Sequence, residues 1–374
     1  MRYSKKLFTL LLTGALVFEP TINLTSTVVK ADLQPVRQTI TADLNNDQAV
    51  NSNTTKNSVL TSTKKKVVKK KAKKKIPTKL SKKQKNKIRR LIKKHKFTGN
   101  ATIYLNGRRV YTYRNANRAG SAYLINSVQK SLTAGMVMKQ ISHKELKLSD
   151  KLSKFYRRIP GAKRITIRQL LTMRSGLTQR GPVYQNVNSL AGTLHFSKKK
   201  QGKWHYQDVN YILLSHILEK VTKKKYETLF NRMYTRPLKL KHTHFVWHSR
   251  RGIAPAMLQI NVAQARATLG AGSVAMSNSD LYKAEKSLLN GKVLTKHERD
   301  TIFGLAKKYK VKYSGFYSRK ANYASNGADY GYRTFLRLSK DGKIGVIFQS
   351  NKGSKHGFSR VQIDKVYKIA TSRK

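Results

Sequence analysis

The sequence predicts an α+β fold, in which one antiparallel sheet flanked by helices carries a helical insertion. Two hairpin signals support this: Asn106-Gly107 near the start of the folded region and Asp341-Gly342 near its end. The four alternating segments beside them are 101–105, 109–113, 332–338 and 343–349. The intervening chain shows mainly helical spacing, so strands from both ends should join in one sheet around a helical middle.

The N-terminus has the pattern of an export signal. Three basic residues within the first six positions precede the apolar run 7–18, and a small-residue exit follows at Val29-Lys30-Ala31. We therefore predict a secretory signal peptide over residues 1–31. An uncleaved N-terminal membrane anchor is the alternative, because the exit lies well beyond the apolar run. In both cases the protein should be secreted and associated with the cell envelope.

Composition narrows the functional classes further. The 374 residues can hold one large domain or two small ones. The chain has no cysteine, which excludes disulfides, a lipid-modified cysteine and thiol catalysis. Lys and Arg total 79 against 16 Asp and Glu, a formal net charge of +63. Such an excess predicts a polyanionic environment.

The region before the folded domain divides into two parts. Residues 32–63 are polar and without periodicity, which predicts a disordered spacer. Residues 64–96 contain nineteen Lys or Arg and no acid, first as a Lys-rich run and then, after Pro77, as a leading helix that Ser81 would cap. We interpret 64–96 as a tether to anionic cell-wall polymers (teichoic acid, peptidoglycan) or to the membrane surface, with an inert linker as the alternative. Export and the lack of interleaved aromatics argue against nucleic acid.

The folded domain is expected over 97–374. Its predicted helices start after Asn126, near Ile165, near Asn210 and near Asp280, and a last amphipathic helix covers 361–370.

The stretch Ser127-Val-Gln-Lys130 lies at the start of the first of these helices. Positions i and i+3 share one helix face, so the hydroxyl and the amine should meet. Serine becomes a useful nucleophile when a base takes its proton, and a desolvated lysine can be that base. The spacing alone is common and gains weight only from other motifs.

Two further motifs follow in order. Tyr206-Gln-Asp208 leads into an apolar helix, and Ser325-Asn326-Gly327 opens a strand. These two motifs, together with Ser127, Lys130 and segment 165–177, carry a resemblance to a known family. Over about 97–371 the chain resembles the penicillin-recognising serine hydrolases. The branch that it resembles comprises class C β-lactamases, low-molecular-weight DD-peptidases and D-alanyl esterases. The resemblance implies a β-lactamase/transpeptidase-like fold.

The resemblance also implies roles for these residues. Ser127 would form the acyl-enzyme, and Lys130 would help to remove its proton. Tyr206 would act as a phenolate or a proton relay, provided that nearby positive charge lowers its pKa. The N–H groups of Ser127 and Ala328 would form the oxyanion hole.

Two departures from the family pattern bear on the substrate. Asp208 stands where an Asn is usual, and Ser325 stands where a Lys or His is usual. Asp208 should also tend to raise the pKa of Lys130. Gaining an acid and losing a cation favours a ligand with an ammonium, such as the D-alanyl ester of teichoic acid. Arg333 would instead restore a site for a carboxylate, as in a DD-carboxypeptidase. Asn326 and Gly327 complete the predicted substrate-binding set.

Other readings remain open at this stage. A weak β-lactamase and a non-catalytic envelope-binding protein are the alternatives to an esterase or carboxypeptidase.

No cofactor is expected. His242, His244 and His248 would share one face of a strand, but a metal site is not predicted because carboxylates are lacking nearby and the surroundings are basic.

Overall fold

The structure is a computed structural model that describes residues 77–372 except 116, 249–250, 256–257 and 354–357. The predicted signal peptide, the spacer and the Lys-rich run 64–75 lie outside the described residues. No helix within the described ranges is long and apolar enough to span a membrane.

Most of the strands lie near the two ends of the folded domain, and the middle of the domain is largely helical. The first half comprises α1 (Lys82–Lys94), β1 (Asn100–Leu105), β2 (Arg108–Arg114), β3 (Tyr123–Leu124), α2 (Gln129–Ser142), α3 (Ile167–Leu171), β4 (Leu177–Gln179), α4 (Val187–Gly192) and β5 (Leu194–Phe196). The second half comprises α5 (Val209–Thr222), α6 (Tyr226–Phe230), β6 (Thr243–Phe245), α7 (Val262–Ala267), β7 (Val274–Met276), α8 (Asn278–Leu289), α9 (Lys296–Gly304), β8 (Tyr317–Ser318), β9 (Asn322–Asp329), β10 (Tyr332–Ser339), β11 (Gly345–Ser350) and α10 (Arg360–Thr371).

The main sheet has six strands in the order β2-β1-β11-β10-β9-β8, and its strand pairs are antiparallel. The β1–β2 and β10–β11 hairpins confirm both turn predictions. Strand β1 pairs with β11, with Thr102 opposite Ile347, so the two ends of the folded domain meet as neighbouring strands inside the sheet. The α+β architecture predicted from the sequence is confirmed. Small sheets of β3, β7 and β6 and of β4 and β5 lie outside it.

The two terminal helices cover one face of the sheet, here called the back face. Ile88 and Ile92 of α1 and Val366 of α10 are completely buried, in one cluster with Phe335 and Phe348 of the sheet. A capping box fixes the start of α1, in which the Gln84 side chain also donates from Nε2 to the Ile369 carbonyl of α10, at 2.8 Å. The packed unit therefore begins before the expected boundary at residue 97, because the apolar stripe of the leading helix completes the core.

The opposite face of the sheet, here called the front face, packs on α8. Helix α2 packs on α8 from the helical region. The stacked rings of Tyr104 and Tyr282 join β1 to α8 at 3.8 Å between centroids. Between α2 and α8, the Ser131 hydroxyl donates to Oε1 of Glu285 at 2.6 Å. Glu285 is completely buried, and burial raises its pKa from 4.5 to about 8. A neutral carboxyl group thus lies directly behind the helix that carries Ser127 and Lys130.

Replacing Glu285 by Gln should stabilise the protein at neutral pH. A carboxyl group whose pKa is raised on folding makes its full contribution to the free energy of unfolding below about pH 4.5. That contribution is lost as the pH rises toward 8, and the loss at pH 7 is roughly 3 kcal/mol. Urea unfolding at pH 4.5 and pH 8 measures it: Glu285→Gln should unfold at higher urea than the wild type at pH 8 and similarly at pH 4.5. The exposed Glu145→Gln is the control, and an equal pH dependence of Glu285→Gln and wild type would contradict this burial argument.

Candidate active site

Ser127 lies on a 3₁₀ turn, Asn126–Val128, that runs directly into α2. Asn126 precedes it with φ of 50°, a left-handed conformation that Asn tolerates better than most side chains. The buried Asn126 thus turns the chain from β3 into the helix and leaves Ser127 partly exposed at its start. The helical relation predicted for Ser127 and Lys130 is present, although the regular helix begins two residues later.

The edge of β9 lies against this turn. Strand β8 pairs with Tyr323 and Ala324, and beyond them the strand approaches Asn126. A Cβ on Gly327 would lie 2.1 Å from the Ile125 carbonyl oxygen, so only glycine allows this approach. Ser325 and Gly327 therefore face the turn that carries Ser127. Ala328 follows Gly327 in β9, and the oxyanion hole of Ser127 and Ala328 N–H groups stays a prediction.

Lys130 is completely buried and makes three polar contacts through Nζ. The atom lies 2.9 Å from Ser127 Oγ, 3.0 Å from the Ala271 carbonyl and 2.8 Å from Asp208 Oδ1. The Ala271 carbonyl accepts a hydrogen bond from Lys130, and the Asp208 carboxylate lies within ion-pair distance. When Lys130 is deprotonated, its amine can accept the proton of the Ser127 hydroxyl across the 2.9 Å that separates them. The site is therefore arranged for proton transfer from Ser127 to Lys130.

The electrostatics favour that transfer. Burial lowers the pKa of Lys130, and the Asp208 carboxylate opposes this without reversing it. The predicted raising effect of Asp208 is present, but desolvation dominates. A neutral amine is therefore more accessible here than for a lysine in water.

Tyr206 lies beside the same pair but is not a phenolate. Lys130 Nζ is 5.2 Å from its ring centroid, and the Ser127 and Asp208 side chains are near enough to influence its hydroxyl. Burial raises its pKa well above 10, and the neighbouring Asp208 carboxylate raises it further. The proviso that nearby positive charge lowers this pKa is therefore not met, because burial and the Asp208 carboxylate both act in the opposite direction. A neutral phenol that relays protons remains the role consistent with the geometry.

Asp208 and Ser325, the two departures from the family pattern, have different exposures. Asp208 Oδ1 is turned inward to Lys130, while its side chain as a whole is 45% exposed. Ser325 is 3% exposed and presents a short neutral side chain. The site thus combines a half-exposed carboxylate with a neutral residue at the position of the usual cation.

Arg333 and the Asn326 side chain lie on the back face. Arg333 lines a small cavity there with Lys96 and Phe358. Asn326 Oδ1 accepts a hydrogen bond from Arg337 Nη1 at 3.0 Å, on that same face. Strand alternation turns these two side chains away from the face of Ser325 and Gly327, so their predicted contact with the substrate gains no support from this placement. The carboxylate site that Arg333 would offer does not form around Ser127.

Two supporting residues were missed in the sequence. Gln129, completely buried, accepts from the Ser273 and Val274 N–H groups at 2.6 and 3.0 Å, which fixes the segment that supplies the Ala271 carbonyl. Tyr313 packs its ring edge-on to Tyr206 at 6.1 Å. Gln129 lies inside the first motif, between Ser127 and Lys130, but a glutamine there carries no chemical signal by itself. Tyr313 is distant in the sequence and became visible only in three dimensions.

The three histidines do not form a common site. Strand β6 ends at Phe245, so His248 leaves the alternation and its Nε2 lies 2.6 Å from Glu227 Oε1. A carboxylate is therefore nearby, contrary to the expectation from sequence. Among the described residues, no group of three His, Cys, Asp or Glu side chains is arranged to hold a metal ion.

Comparison with known proteins places this geometry in context. The sequence profile of the Beta-lactamase family matches residues 85–370. A relative in Bacillus subtilis, PbpX, which is named as a penicillin-binding protein, is 26% identical over 307 residues, covering 76% of this chain and 78% of its own. The teichoic acid D-alanine hydrolase of Staphylococcus aureus is 26% identical over 311 residues, covering 75% and 76%.

Solved structures show the same fold. The crystal structure of FmtA from Staphylococcus aureus superposes with a TM-score of 0.69 at 22% identity, over 80% of this chain and 93% of that one. The D-amino acid amidase of Ochrobactrum anthropi has a TM-score of 0.64 at 15% identity, over 77% and 97%. These likenesses confirm the β-lactamase/transpeptidase-like fold expected from the motifs.

Proposed function

Because the chain belongs to the Beta-lactamase family of serine hydrolases, we propose that it forms an acyl-enzyme on Ser127 and hydrolyses D-alanyl esters of the bacterial cell envelope. The observation that carries this proposal is the contact set of Lys130, which joins the nucleophile, a carbonyl and the Asp208 carboxylate within 3.0 Å. Teichoic acid is the proposed acyl donor, as the name of the Staphylococcus aureus relative states for that protein.

Acylation starts with the neutral amine of Lys130. Ser127 Oγ attacks the ester carbonyl carbon while its proton passes to Lys130 Nζ. The N–H groups of Ser127 and Ala328 stabilise the oxyanion. The bond to the polymer oxygen then breaks, and that oxygen receives the proton from Lys130 through the Tyr206 hydroxyl. A D-alanyl group remains on Ser127.

Deacylation reverses the proton path. A water molecule attacks the D-alanyl carbonyl and gives its proton through Tyr206 to Lys130. The bond to Ser127 Oγ breaks, Oγ takes that proton back, and D-alanine leaves. Tyr206 needs no negative charge in either half, which agrees with its raised pKa.

The proposed substrate preference depends on Asp208. The ammonium of a D-alanyl group is two bonds from the carbonyl carbon that Ser127 attacks. The exposed part of the Asp208 side chain lies next to Lys130 and Tyr206, which places a carboxylate close to where that ammonium must be. A D-Ala-D-Ala terminus or a β-lactam carries a carboxylate instead, for which Ser325 provides no charge.

Mass spectrometry of the intact protein tests the proposed reaction. The protein is incubated separately with D-alanylated teichoic acid and with a penicillin, and quenched in acid. A D-alanyl adduct on Ser127, with release of D-alanine, is expected from the first. A long-lived penicillin adduct without D-alanine release would instead identify a penicillin-binding peptidase, and the absence of any adduct or turnover would favour a non-catalytic envelope-binding protein.

The pH profile should depend on Asp208. The neutral form of Lys130 is the active one, so the rate rises as the pH passes its pKa. Asp208 stabilises the ammonium, and Asp208→Asn should therefore lower this pKa and move the acid limb of the kcat/KM profile to lower pH. A small neutral ester serves as substrate, so that ammonium recognition plays no part. Asp300→Asn, whose side chain is 63% exposed on α9, is the control; an unmoved acid limb in Asp208→Asn would show that Lys130 is not the titrating base.

The proposed location is the envelope surface outside the cytoplasm. The basic segment 64–96 would hold the enzyme near its anionic polymer substrate, and the predicted signal peptide 1–31, or an uncleaved anchor, would direct export. The described part of this segment supports the tether in one respect: α1 keeps its Lys and Arg side chains exposed while its apolar residues enter the core.

A further inference from the structure

The outer surface of the two terminal helices forms a basic groove with an apolar floor. Five cationic and two apolar side chains line this terminal-helix groove, which has a volume of about 540 Å³. They are Lys87, Arg90, Leu91 and Lys94 of α1 with Lys365, Lys368 and Ile369 of α10. The five cationic side chains are exposed, and Leu91 and Ile369 are half-buried between them.

Helix geometry creates this arrangement. Positions 87, 90, 91 and 94 follow the i, i+3, i+4, i+7 spacing and share one face of α1. Ile88 and Ile92 on the adjoining face enter the core, so the groove face stays outside. The same relation holds in α10, where Val366 and Ala370 are buried beside it.

The groove is not neutralised from within the described structure. Helix α1 has no acidic residue, and none of the residues lining the groove is acidic. The acid of α10, Asp364, is turned to the sheet, where it pairs with Arg319 and Arg337. Five positive charges therefore flank an apolar floor, an arrangement that favours an anionic partner with an apolar part.

We propose that the terminal-helix groove docks on an anionic phospholipid bilayer. Headgroup phosphates would neutralise the five cations, and Leu91 and Ile369 would be covered by the acyl-chain boundary. A soluble phosphate polymer meets the charges but offers nothing apolar for the floor. The lysine stems are long enough to keep their ammonium groups at the headgroups while the floor approaches the lipid.

Docking by this surface also orients the enzyme. The terminal helices cover the back face of the sheet, whereas Ser325, Gly327 and the turn of Ser127 lie at the front. With the groove on the membrane, the reactive serine faces away from the bilayer toward the wall polymers. The docking proposal rests on this surface alone and is independent of the reaction proposed for Ser127.

Vesicle co-sedimentation of the full chain tests the proposal. Binding is measured at physiological salt on phosphatidylcholine vesicles with and without phosphatidylglycerol. The groove variant replaces Lys87, Arg90, Lys365 and Lys368 by Glu. The matched control replaces Lys82, Lys85, Arg89 and Lys93 by Glu, four exposed cations on the other side of α1 with the same change in charge. Ester turnover and thermal unfolding verify that both variants are folded.

The groove variant should bind phosphatidylglycerol vesicles at least about tenfold more weakly than the control, because it loses the cations nearest the surface. Leu91→Gln with Ile369→Gln should also weaken binding, most visibly at high salt, where the apolar contact dominates. Equal losses in groove variant and control would show that net charge alone drives binding and would overturn the proposal. A groove variant that keeps vesicle binding but loses retention on soluble teichoic acid would assign the surface to polymer and overturn it as well.

Discussion

Ser127→Ala should abolish the covalent adduct and reduce ester turnover by about 10⁴-fold or more, because removing the nucleophile of such a unit removes the acyl-enzyme route. The mass of the intact protein after incubation with an activated D-alanyl ester measures the adduct, and initial rates measure turnover. Ser142→Ala, at the exposed far end of the same helix, should behave as wild type. Full esterase activity in Ser127→Ala would mean that the reaction occurs elsewhere on the protein.

The partners of Ser127 should be separable by the same assay. Lys130→Ala and Tyr206→Phe should each slow turnover by about 10²–10⁴-fold, the usual contribution of a general base or acid. They should differ in pH dependence. Tyr206→Phe keeps the acid limb that Lys130 sets, since the phenol stays neutral, whereas Lys130→Ala should lose that limb. An acid limb that disappears in Tyr206→Phe would contradict the assignment of the base to Lys130.

The sequence predicted the fold well because its signals are local. Asn106-Gly107 and Asp341-Gly342 are strong turns between alternating segments, and both hairpins form, the first with a register shift between Ile103 and Tyr104. The placement of Ser127 above Lys130 follows from helix geometry alone. The domain boundary was harder to predict from the sequence. The stripe of Ile88 and Ile92 indicates a helix, but only the folded sheet and α10 show what that helix packs against.

The electrostatic state of the site could not be read from motifs. The motifs left open whether Tyr206 is a phenolate or a neutral proton relay, and burial together with the Asp208 carboxylate raises its pKa and favours the neutral form. Both depend on three-dimensional packing. The placement of Arg333 has a simpler origin, since its nearness in sequence to Ser325-Asn326-Gly327 does not say which face of the sheet it occupies, and strand alternation puts it on the opposite face from Ser325. That placement removes the cation that would favour a carboxylate ligand.

Exchanging both unusual residues should change substrate choice. The double variant Asp208→Asn with Ser325→His restores an amide donor and an imidazole that can donate a hydrogen bond to a carboxylate, and it removes the proposed partner of the substrate ammonium. A hydrogen bond to a charged group contributes roughly 1.5–3 kcal/mol, so the ratio of kcat/KM for D-alanyl ester over D-Ala-D-Ala peptide should fall by about ten- to hundredfold. Both substrates are measured with the same enzyme preparation, so the ratio is insensitive to the folded fraction.

Arg333→Ala is the matched control for this exchange. It also removes a charged group from β10, but on the back face, and the ratio should stay at the wild-type value. The two single variants then separate the contributions: Asp208→Asn should mainly lower the rate with D-alanyl ester, since it removes an attraction, and Ser325→His should mainly raise the rate with peptide, since it adds one. If the double variant keeps the wild-type ratio, Asp208 acts on Lys130 alone, and the preference for an ammonium has to come from side chains beyond the three motifs.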